Sequence, residues 1–167
     1  TAINTTTRFA TPVVVPLFGG APLPPGGATV SLGAVSAGSA SLSTSNTSIT
    51  YTPPPTFNGV ATIAYSVRTT CGAVAGSSIS VTVNRAPVAA DDTATTNKNT
   101  AVVVPVLAND LDPDGDTLTV ASVGAAAGGQ VSLLAGVVPF TPTTGFAGTG
   151  TLSYVVRDVG GLTSSGD

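Results

Sequence analysis

Apolar and hydroxyl-bearing residues alternate along much of the chain. Ile79, Val81 and Val83 stand at every second position, with Ser80 and Thr82 between them. That is the period of a strand with one face in a core. Similar short runs lie at Thr11–Leu17, Thr29–Val35, Ser39–Ser43, Ser48–Thr52, Ala61–Arg68 and Ser77–Val83. They recur at Thr100–Leu107, Thr117–Val123, Gln130–Leu134, Val137–Thr141 and Gly150–Arg157. Turn formers separate them, and strands this short and this evenly spaced predict an all-β chain built as β-sandwiches.

The second half repeats the first. Thr11-Pro-Val-Val-Val-Pro-Leu17 matches Thr100-Ala-Val-Val-Val-Pro-Val106, an offset of 89. Tyr51-Thr-Pro53 matches Phe140-Thr-Pro142, Phe57 and Gly59 match Phe146 and Gly148, and Tyr65-Ser-Val-Arg68 matches Tyr154-Val-Val-Arg157. Between these anchors an offset of 88 pairs Val30-Ser-Leu32 with Leu118-Thr-Val120. The chain therefore divides into two copies of one module, residues 1–85 and 86–167, joined near Asn84-Arg-Ala-Pro-Val88. The aromatic pairs Phe57/Phe146 and Tyr65/Tyr154 are expected to fill equivalent cores.

Asp167 aligns with Ser78, so the second copy lacks the counterpart of Ile79–Val83, its last strand. A sandwich without that strand exposes an edge and part of its core. Three readings are open: a stretch of a longer array, a strand donated by another chain, or a copy that tolerates the gap. The free-standing candidate for donation is Thr1–Thr7, which by alignment is also the first strand of copy one.

Composition narrows the chemistry. Of 167 residues, 42% are hydrophobic and only 8% charged. The 27 Thr and 16 Ser supply the polar surface that charges usually supply. There is no His, Met, Trp or Glu, so imidazole catalysis and His-based metal sites are excluded. The single Cys71 cannot form an internal disulfide. A net charge of −3 offers no basic patch for nucleic acid, and no apolar run is long enough to span a membrane. Lys98, the only lysine, sits in a polar turn and is a poor partner for an internal crosslink. Asn4-Thr-Thr6 and Asn46-Thr-Ser48 fit the N-glycosylation triplet, a short pattern that arises readily in a Thr/Ser-rich chain.

The acids are not spread evenly. All eight are Asp, and all lie after residue 90: Asp91, Asp92, Asp110, Asp112, Asp114, Asp116, Asp158 and Asp167. The densest stretch is Asn109-Asp-Leu-Asp-Pro-Asp-Gly-Asp116. Carboxylates this close repel one another unless a cation lies among them. Hard oxygen ligands at alternate positions, with a Gly for a sharp turn, suit Ca²⁺. The spacing mimics the start of an EF-hand loop, but the residue at its twelfth position is Ala121 and the flanks are strands. The expected ligand set is Asp91, Asp92, Asn109, Asp110, Asp112, Asp114, Asp116 and Asp158. Copy one has Gly20, Ala21, Leu23, Pro25, Gly27 and Thr69 at matching positions and should fold without metal, through the Pro-rich loop of Pro22, Pro24 and Pro25.

Several motifs together carry a resemblance. They are Asn84-Arg-Ala-Pro-Val-Ala-Ala-Asp-Asp92, Val106-Leu-Ala-Asn-Asp-Leu-Asp-Pro-Asp-Gly-Asp116, Gly145-Phe-Ala-Gly148 and Tyr154-Val-Val-Arg-Asp158. Copy two resembles, over nearly its whole length, the cadherin-like, Ig-like tandem repeats of large bacterial surface proteins of the VCBS and RTX-adhesin kind. Copy one resembles them through its strands alone. The resemblance implies two tandem Ig-like Greek-key sandwiches, an extracellular or cell-surface location, Ca²⁺ at the Asp cluster, and a spacer or adhesive role. The leading expectation is a calcium-stiffened structural repeat of a stalk or filament. It would partner copies of itself head to tail, with a donated strand as one way to join them. The alternative is a module binding host or matrix glycans, and an enzyme is not expected.

Overall fold

The computed structural model describes residues 2–23 and 26–167; Thr1, Pro24 and Pro25, and with them part of the Pro-rich loop, lie outside the described residues. The chain forms two compact units, Thr1–Asn84 and Arg85–Asp167.

Unit 1 contains β1 (Ile3–Arg8), β2 (Val13–Pro16), β3 (Ala28–Val35), β4 (Ser39–Leu42), β5 (Ser48–Thr52), β6 (Gly59–Thr69) and β7 (Val74–Asn84). A short 3-10 turn follows β2 at Phe18–Gly20. One sheet runs β1-β7-β6-β3 and the other β2-β5-β4. Alternation along each strand sends one face inward. In β7, Ile79, Val81 and Val83 are at most 1% exposed, and they share a core with Val15, Ile49 and Tyr51 of the opposite sheet and with Leu17 just after β2. This strand is central: β1 pairs with it in parallel and β6 in antiparallel fashion. Leu23, which stands where copy two has Asp112, packs against this core.

Unit 2 contains β8 (Val102–Val104), β9 (Thr119–Ala127), β10 (Gly129–Val131), β11 (Val138–Pro142), β12 (Thr151–Arg157) and β13 (Thr163–Gly166). Its sheets are β13-β12-β9 and β10-β11-β8. The core gathers Val104, Val106, Val120, Val138, Tyr154 and Val156. The last strand of the module starts at Val74 in unit 1, earlier than the alternation predicts, and β13 occupies the four positions equivalent to Val74–Ser77.

The ladders also correct the internal alignment. Val30 pairs with Val67 in unit 1, and Val120 pairs with Val156 in unit 2. Because Val67 and Val156 are 89 apart, Val30 corresponds to Val120, an offset of 90 and not 88. The two alignments differ by two residues. A two-residue slip keeps the same face inward, so alternation cannot tell them apart, whereas the hydrogen-bonded partner strand can.

Candidate metal centre

The acidic stretch leaves the core at Val106 and turns at once, where the Ala108 N–H donates to the Pro105 carbonyl at 2.9 Å. Reciprocal backbone hydrogen bonds between Val88 and Leu111, at 2.7 and 3.1 Å, then pin its middle. Successive aspartates along it have different partners.

Asp110 turns inward and is 8% exposed. Its Oδ1 accepts from the Ala90 N–H at 2.8 Å and from the Tyr154 hydroxyl at 2.9 Å. The same hydroxyl lies 3.0 Å from the Ala90 carbonyl. Burial pushes the Tyr154 phenol well above its usual range, and the nearby Asp110 and Asp92 carboxylates push it further. Burial also raises the Asp92 carboxyl; the Tyr154 hydroxyl pulls it down, and the Asp110 and Asp91 charges raise it. Asp92 and Asp110 thus form a polar pocket around Tyr154, each with a buried, unpartnered Oδ2.

Asp112, Asp116 and Asp158 converge elsewhere. Each offers a carboxylate oxygen, and these oxygens lie within 4.8 Å of one another. The loop is wound around Asp112, whose Oδ1 accepts from the Asp114 N–H at 2.8 Å and the Asp116 N–H at 3.3 Å. The Gly115 N–H donates to the Asp112 carbonyl at 3.1 Å. Gly115 has φ +79°, a conformation that a side chain disfavours and that lets the loop double back. Asp158 approaches from the turn between β12 and β13, fixed by the Leu162 N–H on its Oδ1 at 2.8 Å, and is 4% exposed. Burial and then the charges of Asp112, Asp158 and Asp114 push the Asp116 carboxyl above the usual carboxylate range.

The remaining expected ligands have other positions. Asp114 Oδ2 accepts from the backbone N–H of Arg85, the first residue of unit 2, at 2.6 Å. Asn109 Nδ2 donates to the Asp91 carbonyl at 2.9 Å, and both residues are exposed. Of the eight residues read from the sequence, the structure gathers Asp112, Asp116 and Asp158 at one point, places Asp92 and Asp110 at the Tyr154 pocket, ties Asp114 to the Arg85 backbone and joins Asn109 to Asp91.

A cation suits this point. Among the described residues Asp112 Oδ2 is buried without a hydrogen-bond partner, and two further carboxylates converge with that of Asp112. A hard divalent ion satisfies such an oxygen and offsets the repulsion among the three charges.

Sequence reading missed the polar role of Tyr154. It predicted a core anchor, and the ring is 1% exposed, but the hydroxyl organises Asp110 and Asp92. Pairing with Tyr65 hides this, because copy one has Ala21 where Asp110 stands. Phe57 and Tyr65 pack against the core of unit 1, as expected. Phe146 departs from its expected place: it is half-buried and lines a groove of unit 2.

Two sandwiches in tandem, each with its own core, define an Ig-like architecture. The chain belongs to the bacterial Ig domain family, whose model matches residues 1–82 and again 84–167. Domains of this family are in general non-catalytic. No curated protein sequence matches the chain. Among solved structures it is similar to protocadherin gammaB7 domains EC3-6, at 12% identity over 98% of this chain and 43% of that one, TM-score 0.41. It is also similar to the Bacteroides ovatus glucan-utilisation protein SGBP-B in complex with a mixed-linkage heptasaccharide, at 14% identity over 99% and 41%, TM-score 0.33. A third is the Yersinia pseudotuberculosis adhesin InvE, at 15% identity over 98% and 55%, TM-score 0.29. The chain spans about half or less of the length of these proteins. Among the described residues no helix is long and apolar enough to cross a membrane.

Proposed function

We propose that the chain is a structural module of a bacterial surface stalk or filament, of the VCBS and RTX-adhesin kind. It joins end to end with copies of itself and is stiffened by Ca²⁺ at Asp112, Asp116 and Asp158. The observation that carries this reading is the convergence of Asp112, Asp116 and Asp158, whose carboxylate oxygens lie within 4.8 Å of one another in a chain with very few charges. Asp112 and Asp116 come from the long loop and Asp158 from the β12–β13 turn, so one ion there holds two connections together. Asp114, in the same loop, holds the backbone of Arg85, and ordering of the loop therefore extends to the start of the unit.

The gain per site is modest. Extracellular modules bind Ca²⁺ with dissociation constants of roughly 10⁻⁴–10⁻³ M. At about 1 mM Ca²⁺ this stabilises by ~0.4–1.4 kcal/mol. The larger effect is on stiffness. A passive rod also accords with the aromatic residues, since Tyr51 and Tyr154 are buried in the cores and do not form a surface platform for sugars.

Negative-stain electron microscopy of the native assembly, in Ca²⁺ and then in chelator, tests the reading. The expected result is extended particles or fibres with a two-domain repeat that soften or shorten on chelation. Isolated two-domain particles, unchanged by chelation and with no saturable Ca²⁺ binding by calorimetry, would overturn it.

A further inference from the structure

We infer that Tyr154 is a positioning residue of the cation site: its hydroxyl holds the acidic loop in register with β12, so that the carboxylates of Asp112 and Asp116 meet that of Asp158. This deepens the reading of that point as a Ca²⁺ site and rests on it.

The strand supplies a rigid frame. β12 lies between β9 and β13 in its sheet and is paired with both. Tyr154, Val156 and Asp158 stand at alternate positions along and just past it, and all three are at most 4% exposed. One inward row therefore carries both the phenol and a ligand.

The acidic loop meets that row at two points. Asp110 Oδ1 accepts from the Tyr154 hydroxyl at 2.9 Å, and the carboxylates of Asp112 and Asp116 converge with that of Asp158. The two points are two residues apart in the loop and four apart on the strand side. They differ in kind. The first is a hydrogen bond between buried groups, and the second gathers like charges, which repel. Something other than the carboxylates themselves must therefore hold Asp112 and Asp116 opposite Asp158. Other hydrogen bonds tie the loop to Arg85, Val88, Ala90 and Asp91, the segment that enters unit 2. The Tyr154 hydroxyl ties it to the strand that leads into Asp158. Burial and the neighbouring carboxylates push the Tyr154 phenol well above its usual range, so it keeps the proton that it donates.

Unit 1 has the ring without the site. Tyr65 stands where unit 2 has Tyr154, but Ala21, Leu23, Gly27 and Thr69 stand where it has Asp110, Asp112, Asp116 and Asp158. The hydroxyl's acceptor is absent together with the three ligands. That is the pattern expected if the Tyr154–Asp110 bond serves the cation site and not the sandwich in general. Partners one step removed from a metal's ligands commonly govern affinity by about 10–100-fold.

The test is calorimetric titration of the whole chain with Ca²⁺, joined to amide exchange of the chelated protein at Asp114 and Asp116, whose N–H groups donate to Asp112 Oδ1. The parent is compared with Tyr154→Phe, Asp110→Ala, the double variant, and Val138→Ala, a core change in the other sheet of unit 2. Tyr154→Phe should bind Ca²⁺ about tenfold more weakly and exchange faster at both amides. Val138→Ala should match the parent in both. In the Asp110→Ala background Tyr154→Phe should cost nothing further, because the hydroxyl acts through that carboxylate. Equal Ca²⁺ affinity in the parent and Tyr154→Phe would overturn the inference. So would an equal loss in Val138→Ala, which makes the effect one of general stability, or a full further loss on adding Tyr154→Phe to Asp110→Ala. A parent that binds no Ca²⁺ overturns the calcium reading instead. The exchange rates then decide the inference alone: faster exchange at Asp114 and Asp116 in Tyr154→Phe supports the positioning role, and unchanged rates overturn it.

Discussion

At the scale of single residues, two buried tyrosines make opposite predictions. The Tyr154 hydroxyl satisfies Asp110, which is 8% exposed. Tyr154→Phe leaves that carboxylate short of a donor, and unit 2 should lose about 1–3 kcal/mol in denaturant unfolding. Among the described residues the Tyr51 hydroxyl is buried without a hydrogen-bond partner. Tyr51→Phe removes an unpaired polar group, so unit 1 should be unchanged or gain about 1 kcal/mol. Asp116 adds a pH dependence. Its folded carboxyl is raised by burial and by Asp112, Asp158 and Asp114, so the folded state holds the proton more tightly than the unfolded chain does. Its contribution to stability is therefore fully present below the unfolded carboxylate pKa and is lost as pH rises through the raised folded value. Metal-free protein should melt higher as the pH falls from neutral toward the unfolded carboxylate pKa of about 3.9. Excess Ca²⁺ should shrink that gain, because protons and metal compete for the same oxygens. Calorimetry across pH, with and without Ca²⁺, measures both.

At the scale of elements, the acidic loop is the feature with most to lose. Asp112 winds the loop with Oδ1 and leaves Oδ2 for a cation. Asp112→Asn keeps an oxygen acceptor for the turn and removes the charge. The variant should fold in chelator much as the parent does, yet show no rise in melting temperature with Ca²⁺. The parent should rise by about 2–10 °C at about 1 mM Ca²⁺, from the mass-action gain above. Much of this element was legible in the sequence, because Asp residues at alternate positions around Pro113 and Gly115 specify both charge and turn. Which Asp faces which neighbour was not. In the fold Asp110 meets Tyr154, and Asp112 meets Asp158, both partners distant in sequence. Strand register shows the same division. Alternation located β3 and β9, but only their pairing with β6 and β12 shows that Val30 corresponds to Val120.

At the scale of the whole molecule, two sandwiches of one family differ in buried core and in charge. Unit 1 buries Ile79, Val81 and Val83 in the middle of a four-stranded sheet. Unit 2 has a smaller buried core, and every acid in the chain lies in it. Calorimetry should resolve two transitions. The upper should belong to unit 1 and be indifferent to Ca²⁺, and the lower to unit 2 and be responsive to it. Ile79→Ala should lower only the upper transition, at a cost of about 2–5 kcal/mol, because it opens a cavity in the centre of that core.

The sequence by itself determined the all-β class, the doubling of the module and the concentration of acids in its second copy. Those properties are written in local alternation, repeated anchors and composition, and they hold however the strands pair. Tertiary structure alone decided which three carboxylates meet and what the Tyr154 hydroxyl does. The physical reason is distance along the chain. Asp112 and Asp158 become neighbours only once the sheets have formed, and no local pattern records such a meeting.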